Sequence, residues 1–483
     1  VRTVHTVEEI RAAEDALMAT LPPGALMQRA VAGLVSTCAR ILGGPYGARV
    51  VVLAGGGNNG GDALWAGARL AGRGASVDAV LLRPDRAHPE GLAAFRDAGG
   101  RVTAGDDVRA GAALARADLV LDGILGIGGR GGLSDDAAEL AARARADAGL
   151  IIAVDLPSGV DPDTGEAPGA HVVADVTVTF GTGKTALVVD PAAAAAGAVH
   201  AVDIGLAPYL PGPRTTVLED ADVAALLPEP GRESDKYSRG VVGVLAGSGQ
   251  YPGAALLAVG GALRGGAGMV RYAGPDAVAA TVRSRWPETI AGPSVAEVGR
   301  VQAWTVGSGL GDGRGADVAA AVGAGLPVLV DADGLRSLPD RFAGPALLTP
   351  HAGELARLLG VERAEIEARR LHHARAAAGR WNATVLLKGT TTLVVAPDGR
   401  VRVNSTGTSA LAAAGTGDVL AGLAGSLLAA GLEPLDAGSV AAYVHGLAGQ
   451  RAAAAGGYPS AGDVLQQLPA VLGSLRQADT AQG

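Results

Sequence analysis

Short apolar runs and longer helical periods take turns along most of this chain. "RVVVLA" (49–54), "SVDAVLL" (76–82), "ADLVLDG" (117–123) and "GLIIAVD" (149–155) read as buried strands, and helical patterns fill 61–72, 88–98 and 135–147 between them. Such alternation predicts βαβ units and a parallel sheet. Ahead of it, Thr6 and Glu9 have the spacing of a capping box, which predicts a helix to about Thr20, with a second helix from about Gly24 to Leu42. The pattern lapses around 205–233, where "GLAPYLPGPRTT" and "LLPEPGRESDKYSRG" have the Pro, Gly and charge of a linker. It then restarts. "GVVGVLAG" (240–247), "AWTVGSG" (303–309), "LPVLVDAD" (326–333), "ATVLLKG" (383–389) and "TTLVVAP" (391–397) read as strands, and 252–264, 362–379, 415–431 and 434–454 as helices. The expected fold class is α/β, with two three-layer α/β domains over 1–214 and 215–483. The "PAAAAAGA" run (191–198) is low in complexity and is expected to be a helix turn or loop without chemistry.

Composition narrows this picture. The 483 residues suit two large domains. Hydrophobic residues are 48% of the chain and aromatics only 3%, so the cores must rest on Ala, Val and Leu. A net charge of −8 leaves no electrostatic footprint for nucleic acid. The single cysteine, Cys38, rules out an intrachain disulfide and a zinc-binding cysteine cluster, and its apolar setting places it in a core. "VRTVHTVEEI" lacks the apolar stretch of a signal peptide, and charges break every apolar run before the ~20 residues of a membrane span. The expectation is a cytoplasmic protein with no nucleic-acid and no membrane partner.

Candidate chemistry gathers at strand ends. "AGGGNNGGDAL" (54–64) follows a strand, opens a helix and contains Gly55-x-Gly57-x-x-Gly60, the dinucleotide fingerprint in form. In a chain with 75 glycines the bare pattern arises by chance. Asn58-Asn59-Gly60-Gly61-Asp62 says more: two amides and a carboxylate at a helix start suit a hard cation and polar ligand groups. Asp122 closes "LVLDG" ahead of the glycine loop "GILGIGGRGG". Asp155 closes "IIAVD" and leads into "LPSG", which holds Ser158. Either aspartate alone is equally well a cap or turn-former; three strand ends together favour one shared site. "GTGKT" (181–185) is not a P-loop, because Val178 stands where the motif needs glycine. Lys184 follows "VTVTF" and is placed where it can still reach the site, with a solvated surface lysine as the default expectation.

In the second half, Gly415-Thr416-Gly417-Asp418 sits between small residues and a helix. Backbone amides at such a turn neutralise the oxygens of a transferring phosphoryl group, and a carboxylate beside them accepts a proton from an attacking hydroxyl. A plain N-cap aspartate is the structural alternative. Asp331 and Asp333 end "VLVDADG", His351 and Glu354 lie in "LLTPHAGE", and Lys388-Gly389 leads into Thr390, Thr391 and Thr392 as a hairpin turn or phosphate loop.

Taken in order, these motifs resemble one family, the bifunctional NAD(P)H-hydrate repair proteins. The resemblance rests on "LMQRA", "NNGGD", "LDGILGIG", "VDLPSG" and "FGTGK" in the first half, and on "KYSRG", "GAALLA", "GAGMV", "GSGLG", "LVDADGL", "LTPHAGE", "LLKG" and "GTGDVLAG" in the second. It implies a Rossmann-like NAD(P)HX epimerase followed by a ribokinase-like, ADP-dependent NAD(P)HX dehydratase specific for the S hydrate. It further implies potassium at Asn59, Asp122 and Ser158. Hydrate would be held in the first half by Asn58, Asn59, Gly60, Gly61, Asp62, by Gly126, Ile127, Gly128, Gly129, Arg130, Gly131 and Gly132, and by Asp155, the favoured acid–base for epimerisation. In the second half Ala254, Gly309, His351 and Asp418 would face the hydrate, with Asp418 as the catalytic base. Lys388, Gly389, Thr390, Thr391, Thr392, Gly415, Thr416 and Gly417 would hold ADP or ATP with magnesium. A homo-oligomer is expected. Relatives often carry proline where Ser308 and Ala352 stand, glycine where Ala63 stands, and a second glycine in the "LKGTTT" loop. The Ser308 and Ala352 exchanges are expected only to loosen the backbone. The rival readings are a ribokinase-like small-molecule kinase fused to a dinucleotide-binding domain, and a protein that binds without turnover.

Overall fold

A computed structural model of the chain describes residues 2–105, 108–229, 231, 233 and 235–480, which leaves Pro230, Arg232 and Ser234 of the expected linker outside the described residues. Two compact units adjoin in sequence at Arg214 and Thr215. After a short strand, β1 (Arg2–Val4), the N-terminal unit begins with helices Val7–Met18 and Ala25–Ile41. Thr6 caps the first: its hydroxyl accepts the Glu9 N–H at 3.3 Å and its own N–H reaches the Glu9 carboxylate at 2.8 Å, so the capping box forms as its spacing predicts.

Seven parallel strands follow: β2 (Arg49–Ala54), β3 (Ser76–Leu81), β4 (Arg101–Ala104), β5 (Leu119–Gly123), β6 (Ile151–Val154), β7 (Val176–Phe180) and β8 (Ala198–Val202). They lie in the order β4-β3-β2-β5-β6-β7-β8, so the winding reverses between β2 and β5, where Leu53 is opposite Asp122. Alternate residues of β2 feed two cores: Val50, Val52 and Ala54 pack under the helices Ala25–Ile41 and Asn58–Ala71, while Val51 and Leu53 join Leu140 and Ala144 of Asp135–Asp147 on the other face. Burial of β2 on both faces explains its unbroken apolar run. Cys38 is fully buried, which pushes its thiol up to about 12.

The C-terminal unit contains β9 (Thr215–Val217), β10 (Val241–Leu245), β11 (Met269–Ala273), β12 (Ile290–Gly292), β13 (Ala303–Val306), β14 (Val328–Val330), β15 (Ala346–Leu348), β16 (Thr384–Leu387), β17 (Thr392–Val395) and β18 (Val401–Asn404). From β9 inward the order is β9-β18-β17-β16-β15-β14-β13-β10-β11-β12. The strands from β16 to β12 are parallel; β16, β17 and β18 form an antiparallel ribbon. The helices Pro252–Arg264 and Thr416–Ala429 cross so closely that a Cβ on Gly422 would lie 2.0 Å from the Ala258 carbonyl oxygen, and one on Gly261 2.4 Å from that of Val419. In a chain this poor in aromatics, backbone contact of this kind replaces bulky side chains.

Two expectations change. The helix expected over 362–379 is two, Arg363–Ala368 and Arg370–Trp381, broken at Arg369 (φ −131°, ψ 50°). β4, β8, β9, β11, β12 and β18 are not among the strands expected from the sequence.

Candidate active sites

In the N-terminal unit the chain leaves β2, turns through Gly57 (φ +89°) and enters Asn58–Ala71 beside the carboxyl end of β5. That is the switch point of the sheet, where ligands of open α/β sheets bind. Asp122 is fully buried there. Its Oδ2 accepts the Ser158 N–H at 2.8 Å, and its Oδ1 accepts the Ser158 hydroxyl at 2.6 Å and the Ile124 N–H at 3.3 Å. All three donors are neutral, and burial outweighs them to push the carboxyl up to about 6. The Ser158 hydroxyl also accepts the Leu125 N–H at 2.8 Å, which pins the glycine loop. The Asn59 amide nitrogen is buried without a hydrogen-bond partner, and a Cβ on Gly126 would lie 2.9 Å from the Asn59 Oδ1. Asn59, Asp122, Ser158 and the start of the Gly126–Gly132 loop therefore come together.

Asp155 stands just past β6 with φ +67°, a left-handed conformation that is uncommon outside glycine. Its Oδ1 accepts Lys184 Nζ at 2.5 Å, the Thr179 hydroxyl at 3.2 Å and the Phe180 N–H at 3.3 Å. Lys184 is not the surface lysine expected from the sequence: its side chain is 2% exposed, and Nζ also donates to Thr179 Oγ1 at 2.8 Å and to the Phe180 carbonyl at 2.9 Å. The end of β7 carries it to the same sheet edge as Asp155, and three acceptors use all three ammonium donors. Asp62 Oδ1 is buried without a partner, and burial, followed by the charges of Asp155 and Glu14, holds that carboxyl well above the usual range. Glu14 is raised as well, first by burial and then by Asp155. No motif marks Glu14; the tertiary fold of helix Val7–Met18 brings it in. Arg130 stays half-exposed, in ion pairs with Asp163 at 3.2 Å and Asp161 at 3.8 Å, while Gly131 and Gly132 adopt φ of +80° and +90°.

In the C-terminal unit Asp331, just past β14, is the hub. It is 2% exposed, and its Oδ1 accepts Lys388 Nζ at 3.0 Å and the Thr349 hydroxyl at 2.8 Å. Its Oδ2 accepts the Ser308 hydroxyl at 3.0 Å. Lys388 also lies 3.7 Å from Glu354. Burial alone would lower the Lys388 pKa, but Asp331, Glu354 and Asp418 outweigh it and raise the value, which keeps the ammonium charged. Asp418 is in the first turn of Thr416–Ala429, after Gly415 at φ +88°. Burial and then the Asp331 charge push it up to about 7, against the opposing pull of a Ser308 hydrogen bond and of Lys388. Ser308 thus does more than loosen the backbone: its hydroxyl contacts both carboxylates.

His351 caps helix Ala352–Leu359, its Nδ1 accepting N–H from Gly353 at 3.0 Å and Glu354 at 3.2 Å. Those two donors place the ring proton on Nε2, and burial lowers the ring's pKa. A Cβ on Gly417 would lie 3.6 Å from Lys388 Nζ, so the Gly415–Asp418 turn faces the lysine. Behind the turn, burial holds His445 down to about 4, with a hydrogen bond to the Thr416 backbone opposing that shift. Gly389, Thr390 and Thr391 form the β16–β17 hairpin tip, where Thr392 Oγ1 donates to the Gly389 carbonyl at 3.1 Å. Gly309, at φ +61°, would place a Cβ 2.5 Å from that of Ala254, and adjoins Ser308. Asp331 was legible as a strand-end acid and Glu354 as an acid near a helix start; that they share Lys388 was not.

Two family models match separate parts of the chain. Residues 242–469 match the family model described as NAD(P)H-hydrate dehydratase, and residues 23–186 match that described as YjeF-related protein N-terminus. The bifunctional NAD(P)H-hydrate repair enzyme of Mycobacterium tuberculosis is 48% identical over 443 residues, 89% of this chain and 90% of that one. Among solved structures, the ADP/ATP-dependent NAD(P)H-hydrate dehydratase of Bacillus subtilis, co-crystallised with ATP and Mg2+, is 31% identical with a TM-score of 0.51, covering 53% of this chain and 97% of that one. A ribokinase-like superfamily protein of Enterococcus faecalis shares the fold at a TM-score of 0.51 and 21% identity, covering 56% of this chain and 99% of that one.

Proposed function

This chain belongs to the bifunctional NAD(P)H-hydrate repair enzymes, and on that footing we propose how its two units divide the chemistry. The N-terminal unit is the epimerase and the C-terminal unit the nucleotide-dependent dehydratase. In the dehydratase, Asp418 accepts the proton of the substrate's C6 hydroxyl as the nucleotide's terminal phosphoryl passes to that oxygen. Phosphate then leaves with the C6–O electron pair, driven by the ring nitrogen's lone pair, and loss of a C5 proton restores the ring double bond. Hydroxide is a poor leaving group and phosphate a good one, which is why the nucleotide is consumed. One observation carries this reading: the Asp418 carboxyl is pushed up to about 7, poised to exchange a proton near neutrality, beside a lysine that is kept charged. Lys388 and the Gly415–Gly417 amides meet phosphoryl oxygens. Ala254, Gly309 and the His351 Nε2–H face the hydrate.

In the epimerase, Asp155, oriented by Lys184, moves the proton that lets the C6 centre open and close, and the Asn58–Asp62 and Gly126–Gly132 loops hold the dinucleotide. A potassium ion suits Asn59, Asp122 and Ser158: the donors are oxygens, and Asp122 is a buried carboxylate whose hydrogen-bond donors are all neutral. Bound there, the ion supplies one positive charge beside the glycine loop. Magnesium fits the dehydratase site less through the protein than through the nucleotide, because no group of three or more His, Cys, Asp or Glu side chains suited to a metal occurs among the described residues.

The test is to mix both epimers of NADHX with the protein, ADP or ATP and magnesium, and to follow the NADH absorption band together with free phosphate. Full recovery of NADH with matching phosphate release is expected. Accumulation of a stable phosphorylated alcohol would instead make the C-terminal unit a kinase.

A further inference from the structure

Helix Arg370–Trp381 begins with a cation that its own helix does not favour, since the N-terminal end of a helix dipole is positive. Arg370 is nevertheless buried, at 7% exposure. Its Nη2 donates to the carbonyls of Leu387, Lys388 and Thr391 at 3.4, 3.1 and 3.2 Å, three oxygens that flank or belong to the β16–β17 tip. A Cβ on Gly389 would stand 2.3 Å from that same nitrogen, so the loop lies directly on the guanidinium. The break at Arg369 that divides the expected long helix sets the start of this helix under the hairpin.

We propose that Arg370 is a positioning residue for nucleotide binding: it draws the carbonyl dipoles of the Lys388–Thr392 loop to the underside and so presents a carbonyl-free face to the nucleotide phosphates. The inference rests on the nucleotide-dependent reading of this site. Carbonyl oxygens repel a polyphosphate, and a loop that binds one must turn them away. A guanidinium has a planar fork of donors that can hold several carbonyls at once, and its fixed charge beneath the loop adds to the positive potential that Lys388 provides above it. Threonines occupy the tip of this loop, and the arginine beneath it is a fixed strut.

The test uses the full-length chain with Arg370→Met, Arg370→Lys and Gly389→Ala. ADP and ATP affinities are measured by calorimetry, and KM for nucleotide and for hydrate by turnover; epimerisation and the melting transition report on folding. Arg370→Met is expected to weaken nucleotide binding and raise the nucleotide KM at least tenfold, with the hydrate KM within twofold of wild type. Arg370→Lys should recover part of the loss, and Gly389→Ala should reproduce much of it by displacing the guanidinium. Nucleotide binding within twofold of wild type in Arg370→Met overturns the proposal. So does an equal rise in both KM values with a lowered melting transition, which marks a merely structural arginine. If the wild-type protein binds nucleotide yet restores no NADH, the functional reading fails, while the calorimetric comparison still decides the role of Arg370.

Discussion

The two sheets are wound alike and used differently. In the N-terminal unit the strands in chain order from β2 lie 3-2-1-4-5-6-7 across the sheet, and the parallel strands from β10 to β16 repeat that order. In both, an aspartate follows the fifth strand and is bonded to a lysine from further along: Asp155 to Lys184 at 2.5 Å, Asp331 to Lys388 at 3.0 Å. In the first unit the paired aspartate is itself the proposed acid–base, and the carboxyl pushed upward beside it is Asp62 of the first loop. In the second the paired aspartate is a fixture, and the working carboxyl arrives from outside the parallel strands, on the helix that follows the antiparallel ribbon. The lesson is that an aspartate–lysine pair over the tips of a sheet is a platform, and the chemistry is decided by which third carboxyl the fold sets against it.

Substitutions can pull this comparison apart. The largest effect is expected from Asp418→Asn, which should cut dehydration by about 10² to 10⁴-fold, the usual worth of a positioned base, while epimerisation proceeds unchanged. Near-normal NADH recovery by that variant would remove Asp418 from the mechanism. Lys184→Met should slow epimerisation by a smaller factor, since it removes the partner of the acid–base and not the acid–base itself, and leave dehydration of the S hydrate intact. Because it strands a buried carboxylate, it should also cost about 3–5 kcal/mol in the urea unfolding of the N-terminal unit; an unshifted midpoint would show that the pair is not an anchor. Replacing potassium by tetramethylammonium should slow epimerisation several-fold and spare dehydration. The difference between the two salts should shrink below about pH 6, where Asp122 takes up a proton and loses the negative charge that attracts the ion; equal activity in the two salts at neutral pH would empty the proposed site. The smallest effect is in pH. Asp418 acts ionised, so kcat/KM for dehydration should rise with pH through about 7 and then level. Ser308→Ala removes a hydrogen bond that favours the ionised form, so the rise should move to higher pH; a profile that stays put would leave Ser308 without a role in tuning Asp418.

How far the sequence could be read follows from the range of each signal. The long βαβ alternation, the Thr6 box, the strand-end positions of Asp122, Asp155 and Asp331 and the helix-opening position of Asp418 are local patterns, and the elements form where those patterns lie. What stayed hidden depends on contacts between distant segments. Lys184 defaulted to a surface residue because "GTGKT" is no P-loop and only its place after "VTVTF" pointed to the sheet edge. Ser308 looked like a lost proline because its value lies in two carboxylates more than twenty and a hundred residues away. Glu14 and Arg370 belong to no motif, and each matters only through what the fold lays next to it.

The glycine crossing of Pro252–Arg264 with Thr416–Ala429 has a consequence for how the dehydratase tolerates change. Gly422 is one helical turn from Asp418 and takes no part in the chemistry, yet a single methyl there would meet the neighbouring main chain at 2.0 Å and shift the helix that carries the acid. Loss of dehydration would therefore follow from substitutions along this apolar seam as well as from those at the reactive groups.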